Sequence, residues 1–203
     1  MKLAFLGDSI TECEGGYVDI VAKEFGANAL NYGIGGTCIA KQDIKMEIPR
    51  YNKDFLSRLN DIDVSSDILF VFGGVNDYGH GEAAFGDASD KSDYTFCGAV
   101  NKIVKVLLDK FGQDKLCFIL PYKTYQCDKP NKHDKTLKDY VYLLKRVLDK
   151  NNIDYINLYE DVFNQPLSDK EEEFIMDGLH PTLRGHQVIA KKVIEYLNKK
   201  LSK

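Results

Sequence analysis

Cysteine is sparse in this chain and nowhere paired. The five that occur, Cys13, Cys38, Cys97, Cys117 and Cys127, are odd in number and never spaced as C-x-x-C. That spacing excludes a dithiol redox motif or a zinc ribbon and leaves reduced thiols as the expectation. Positive charge is not in excess either. A formal net charge of -4 argues against the basic face of a nucleic-acid binder. The late lysines (Lys191, Lys192, Lys199, Lys200 and Lys203) read as the solvated face and tail of a closing helix. Long apolar runs are missing as well. The few apolar residues before Asp8 are too short for a signal-peptide core, and no stretch approaches a membrane span, so a cytoplasmic chain without a membrane partner is expected. The four histidines, His80, His133, His180 and His186, fall in no metal-ligand spacing, and no metal is expected. No G-x-G-x-x-G follows a strand and no Walker lysine appears, which disfavours a nucleotide or flavin binder; no cofactor is expected.

At 203 residues the chain is long enough for one medium domain with a full core, and no composition shift marks a linker or repeat, so residues 1–203 read as a single domain. Short apolar runs that stop at glycine or proline predict strands over 2–6, 27–32, 67–72, 116–120 and 153–158. Helical periodicity predicts helices over 17–25, 51–59, 94–111, 132–151 and 183–201. Residues 38–50 and 159–176 have no clean period, and 77–93 form a Gly-, Asp- and Ser-rich loop long enough to be functional. Strands alternating with helices imply an α/β fold with a parallel sheet. In such a sheet the loops after the first three strands, and the loop before the last helix, share the carboxyl edge where sites form.

The chemistry-bearing residues lie in those loops. Ser9, in Gly7-Asp8-Ser9-Ile10-Thr11, sits where a strand turns sharply into a helix, the position of a nucleophile in an α/β enzyme. Asp8 and Ser9 also suit plain turn capping. A serine hydroxyl needs a base. His180, in Asp177-Gly178-Leu179-His180-Pro181, has Asp177 close enough along the chain to fix its tautomer and stabilise its imidazolium. A developing oxyanion needs donors. Gly35-Gly36-Thr37 offers a backbone N–H, and Asn76, in Gly73-Gly74-Val75-Asn76-Asp77, offers an amide NH2. Each stretch alone has a commoner turn or cap explanation; their joint occurrence in this order does not.

In that order the four stretches resemble the GDSL-type SGNH hydrolases, whose four blocks the chain spans from near its start to near its end. The resemblance implies a three-layer, five-stranded, flavodoxin-like parallel sheet. It implies Ser9 as nucleophile, His180 as base, Asp177 as its partner, and an oxyanion hole from the Ser9 amide, the Gly36 amide and the Asn76 side chain. The first block reads Gly-Asp-Ser-Ile where the family has Gly-Asp-Ser-Leu, an apolar swap without chemical consequence. Gly33, Gly35 and Gly36 compete for the amide role, with Gly36 favoured by its place after Asn31. The absence of a G-x-S-x-G elbow disfavours an ordinary α/β-hydrolase. Asp8, Tyr78 and His80 are further expected at the substrate, and His186 is expected to be structural.

The expected activity is hydrolysis of a small-molecule carboxylic ester through an acyl-enzyme. Polar loops carrying Tyr78, Phe85, Tyr94, Tyr122 and Tyr125 suit a sugar better than a lipid tail, so acetyl esters of carbohydrates are favoured. The alternatives are a lysophospholipase or thioesterase for longer acyl chains, and a non-catalytic binding protein with the same fold.

Overall fold

The computed structural model describes residues 1–43, 45, 47–162 and 173–202. Five strands, β1 (Lys2–Gly7), β2 (Asn28–Gly33), β3 (Ile68–Phe72), β4 (Leu116–Leu120) and β5 (Asp154–Asn157), form one sheet in the order β2-β1-β3-β4-β5. Every neighbouring pair is parallel. The apolar runs in β3 and β4 follow from this placement, because all residues of both strands are buried between helical layers. The edge strands β2 and β5 are only partly buried and carry polar residues accordingly.

The helices are α1 (Ser9–Glu12), α2 (Tyr17–Phe25), α3 (Val75–Gly79), α4 (Phe96–Phe111), α5 (Leu137–Lys150), α6 (Leu158–Asp161) and α7 (Leu183–Leu201). α2 packs with α7 on one face of the sheet, and α4 packs with α5 on the other. Aromatic rings carry both layers. Phe5 and Phe70, register partners on β1 and β3, stack with centroids 5.1 Å apart, and Tyr17 of α2 meets Phe5 edge-on at 5.8 Å. On the opposite layer, Phe96 of α4 lies 4.6 Å from Tyr140 of α5.

Four segments differ from the sequence expectation. Residues 51–59 are not one helix but two short 3₁₀ turns, Pro49–Asn52 and Leu56–Arg58. Between them Asp54 accepts the Ser57 N–H at 2.9 Å and the Ser57 hydroxyl returns to the Asp54 carbonyl, a local pairing that competes with the helical ladder. α5 starts at Leu137 rather than 132, because a capping box of Thr136 and Asp139 sets its end. Residues 75–79, partly assigned to a loop, form α3, and 158–161, partly within the irregular 159–176, form α6. Within that irregular stretch residues 163–172 lie outside the described residues, as do Ile44 and Met46 in the expected loop 38–50.

The chain runs from β1 out to β2 and returns to β3 on the other side of β1, so the strand order reverses between β1 and β3. Loops leaving these two strands diverge there and open a crevice at the carboxyl edge. Gly7-Asp8-Ser9 and Gly74-Val75-Asn76 leave at that point. No helix among the described residues is long and apolar enough to cross a membrane.

Candidate active site

Asp8 caps α1, its Oδ1 accepting the Ile10 N–H at 3.0 Å, and Ser9 is the helix's first residue. The cap of this turn is therefore made by Asp8, and the Ser9 side chain takes no part in it. The Ser9 Oγ lies 2.9 Å from His180 Nε2. Asp8 itself is a correction to the expectation of substrate contact, since it is 1% exposed and faces the interior. Burial pushes its carboxyl up to about 6 against the pull of the Ile10 amide and of His180 and Arg58. Its Oδ2 is buried without a hydrogen-bond partner among the described residues.

Asp177 organises the loop before α7 around itself. Its Oδ1 accepts the N–H groups of Leu179 at 3.0 Å and His180 at 2.7 Å, and its Oδ2 accepts His180 Nδ1–H at 2.7 Å. With the Nδ1 proton directed at Asp177, Nε2 of the neutral ring is an acceptor for the Ser9 hydroxyl. Burial works to raise the Asp177 carboxyl, but the His180 amide and ring and the Leu179 amide hold it below its ordinary value. Neighbouring tyrosines fix the loop from behind: the Tyr122 hydroxyl donates to the Leu179 carbonyl at 2.5 Å and the Tyr125 N–H to the Gly178 carbonyl at 2.7 Å. Gly178 has φ +77°, and a Cβ there would fall 2.5 Å from Tyr125 Cβ, so only glycine fits.

Three glycine amides competed on sequence, and their hydrogen bonds separate them. The Gly33 N–H goes to Asn31 Oδ1 at 2.8 Å and the Gly35 N–H to Glu12 Oε2 at 2.8 Å. The Gly36 N–H has no partner among the described residues, and neither has the Ser9 N–H. Gly36 adopts φ +75° beneath the Tyr51 ring, where a Cβ would come within 2.2 Å of Tyr51 Cε1. Asn76 spends one Nδ2 hydrogen on the Thr37 carbonyl at 3.0 Å, which aims the other. Next to it, Asp77 binds the Ile39 and Ala40 amides at 2.8 and 3.0 Å and so fixes the segment beyond the glycines. Burial pushes the Asp77 carboxyl up to about 7, opposed by those two amides.

Several positioning side chains escaped the sequence reading. Glu12, one turn beyond Ser9 on α1, holds the Gly35 amide while the Arg50 guanidinium engages both of its oxygens. The 3₁₀ turn Pro49–Asn52 thus delivers Arg50 to Glu12 and Tyr51 to Gly36, bracing two consecutive amides. Arg58, 6% exposed, donates to the carbonyls of Gly7 and Tyr32 and to Thr37 Oγ1, tying the ends of β1 and β2 to the glycine loop. Burial lowers its guanidinium to about 10. Only Glu12 carried a sequence signal, its helical proximity to Ser9. The two arginines act on partners distant along the chain.

Tyr78 is a second correction. Its hydroxyl lies 2.8 Å from the carbonyls of both Gln126 and Lys129, and its ring packs on Tyr140, so it is a strut between loops rather than an open contact surface. His80 is exposed and stands at the rim, its ring 6.1 Å from that of Tyr51. His186 accepts the Tyr17 N–H at its Nδ1 and stacks on the Tyr17 ring; burial, then the charge of His180, lowers it to about 4. Of the aromatics thought to face a ligand, Tyr122 is buried and Phe85 packs on Phe96 and Tyr140, while Tyr94 and Tyr125 are exposed. Burial raises the thiols of Cys13 and Cys38, which keeps both protonated and unsuited to attack.

The sequence profile of the GDSL-like lipase/acylhydrolase family matches residues 5–188. Among solved structures, a protein from Lactobacillus plantarum is 26% identical with a TM-score of 0.84, over 98% of this chain and 96% of that one. A lipase/acylhydrolase from Enterococcus faecalis is 20% identical with a TM-score of 0.71, over 98% and 96% of the two chains. The acetyl xylan esterase AlAXEase is 22% identical with a TM-score of 0.69, over 97% and 99%. No curated protein sequence matches the chain.

Proposed function

Because the chain belongs to the GDSL-like lipase/acylhydrolase family, and so to a family of hydrolases, we propose that it is a serine esterase acting through an acyl-enzyme. The observation that carries the proposal is the relay from Ser9 Oγ to His180 Nε2 at 2.9 Å and from His180 Nδ1 to Asp177 Oδ2 at 2.7 Å. Ser9 Oγ attacks the ester carbonyl carbon as its proton passes to Nε2. The carbonyl oxygen becomes an oxyanion and takes hydrogen bonds from the Ser9 and Gly36 amides and the second Nδ2 hydrogen of Asn76. Asp177 keeps the Nδ1 proton and offsets the imidazolium charge. Collapse expels the alkoxide, which takes the proton from Nε2; water then cleaves the acyl-enzyme by the same steps in reverse.

For substrate, we favour acetyl esters of carbohydrates. The exposed rings of Tyr94 and Tyr125, and the fold shared with an acetyl xylan esterase, support this choice. The test is a screen of wild type and Ser9→Ala against 4-nitrophenyl esters of graded chain length and acetylated sugars. Wild type should hydrolyse acetate best and Ser9→Ala should be inert yet folded. Retained turnover in Ser9→Ala would end the nucleophile assignment. A preference for octanoate or longer would replace the acetyl substrate with a lipid or thioester one.

A further inference from the structure

The turn Pro49–Asn52 faces two ways. Toward Ser9 it delivers Arg50 and Tyr51 to the glycine loop. Toward solvent it borders a cleft of about 360 Å³ whose described lining includes Tyr51, Asn52, Asp43, Lys45, Asp54 and Tyr94. We propose that this cleft is a glycan subsite, holding a sugar ring of an acetylated oligosaccharide while the ester on the chain lies at Ser9. The proposal rests on the esterase reading and adds to it where the sugar sits and which residues select it.

Position is the first argument. Tyr51 is common to the cleft and to the Gly36 position, so the cleft adjoins the glycine loop through that one ring. Chemistry is the second. Two tyrosine rings present flat apolar faces to the C–H side of a sugar, and the charged and amide groups between them meet its hydroxyls. The described lining is made of charged, amide and tyrosine side chains, which suits a polyhydroxyl ligand. The charges balance, Lys41 and Lys45 against Asp43 and Asp54, which fits a neutral polyhydroxyl ligand better than a polyanion. The volume falls within the range of small-molecule sites, about 300–1,000 Å³.

The cleft is also built rather than incidental. Lys41 donates its backbone N–H to the Asp93 carbonyl at 2.9 Å and pairs its Nζ with the Asp93 carboxylate at 3.3 Å. Asp93 is held in turn by Lys102 of α4 at 2.7 Å. Gln42 Oε1 accepts the Glu82 N–H at 2.6 Å and the Ala83 N–H at 3.2 Å. These bonds join the two long irregular stretches of the chain, one bearing Tyr51 and the other Tyr94, into a pair of fixed walls. Preformed walls cost a ligand little ordering entropy.

Tyr94 is 46% exposed and touches none of the catalytic groups, so Tyr94→Ala is the informative variant. Its kcat/KM on acetylated xylo-oligosaccharides should fall by about fivefold to tenfold, through KM, the size expected for one lost stacking contact. Its turnover of 4-nitrophenyl acetate should be unchanged, and Tyr94→Phe, which keeps the ring, should behave as wild type on both. Equal loss on both substrates, or no loss on the oligosaccharide, overturns the subsite. A second arm needs no ester chemistry: calorimetric titration of Ser9→Ala with unacetylated xylo-oligosaccharide should give binding that Ser9→Ala/Tyr94→Ala lacks. Binding lost with Tyr94 supports the subsite even if no ester is cleaved, whereas acetate hydrolysis without oligosaccharide binding removes the subsite and leaves the esterase standing.

Discussion

On the oxyanion side of the site Thr37, Asn76 and Asp77 are 1%, 5% and 3% exposed, whereas on the base side the Asp177 and His180 side chains are 55% and 37% exposed. The same crevice therefore has a wall set in the core and a wall laid on the surface. On the esterase reading proposed above, the difference follows the chemistry assigned to each wall. Donors to a developing oxyanion act by being oriented beforehand, and burial both fixes them and strengthens each bond. That orientation is costly here, since it leaves the Asp8 and Asp77 carboxyls desolvated. A proton carrier must change charge within each cycle, and partial exposure keeps its imidazolium affordable.

The largest effect should come from the exposed wall. His180→Ala is expected to lower kcat by about 10⁵-fold or more, because Ser9 then lacks a base. Asp177→Ala is expected to be about tenfold to a hundredfold milder, since water reaches the imidazolium and supplies part of what the carboxylate gave. Steady-state kinetics on 4-nitrophenyl acetate checks the pair. Equal losses would mean that Asp177 is as indispensable as the base and that its exposure lends no relief.

The buried wall should respond in two currencies at once. Asn76→Ala is expected to lower kcat by about 10²–10³-fold with KM little changed. It should also destabilise the fold by about 1–3 kcal/mol, because the Thr37 carbonyl loses its partner in a dry setting. Asp177→Ala should lower the melting temperature less, because the Leu179 and His180 groups it leaves lie where water can reach them. If thermal melts showed the reverse ranking, the division into a rigid and a yielding wall would be wrong.

That division also marks what was legible in the sequence. The buried strands β3 and β4 and the amphipathic helices α2 and α7 were readable because one apolar run or one period dictates each. Ser9 and Asn76 were readable because each follows a strand-ending glycine, and Asp177 and His180 because they lie within one tight turn. Gly36 is favoured over Gly33 and Gly35 only by its place after Asn31; the physical reason that separates them, where the side chains of Asn31 and Glu12 spend their acceptors, leaves no sequence pattern. Residues 51–59 misled because their spacing suits a helix, while Asp54 and Ser57 pair locally and the Phe55 N–H goes to the Cys38 carbonyl. Arg50 and Arg58 left no pattern at all: an isolated arginine gives no clue to a partner dozens of residues away.

The brace from Arg50 through Glu12 to Gly35 supports the glycine loop of the oxyanion wall and should give a smaller effect. Arg50→Ala frees the Glu12 carboxylate to wander from the Gly35 amide, and the Gly36 donor then loses its fixed neighbour. The expected result is about a threefold to tenfold fall in kcat with KM unchanged, as for an interaction felt in the transition state. Stability should change by only about 0–1 kcal/mol, because the pair is half-exposed. Arg50→Lys should recover part of the rate through its charge but not all, lacking the paired donors of the guanidinium. A change confined to KM would place Arg50 at the substrate instead of behind the loop.

The last comparison is a pH dependence of stability, and it isolates the buried wall alone. With the Asp77 carboxyl raised to about 7 from an ordinary 3.8, the folded chain keeps a proton that the unfolded chain releases. Asp77 therefore contributes a stability that is greatest at low pH and is lost as pH rises through that window. Asp8, raised to about 6, acts in the same direction. His186, lowered to about 4 from 6.5, opposes both, because its neutral folded form gains stability as the unfolded ring gives up its proton. The wild-type profile alone cannot separate these contributions, but Asp77→Asn removes one and leaves the others. Asparagine should destabilise at every pH, since its NH2 meets either the Ile39 or the Ala40 N–H where a carboxyl oxygen accepted it. The deficit in melting temperature relative to wild type should be larger at pH 5 than at pH 8. A deficit that stays constant across that range would mean that Asp77 is ionised throughout, and that the wall it supports is wetter than its burial implies.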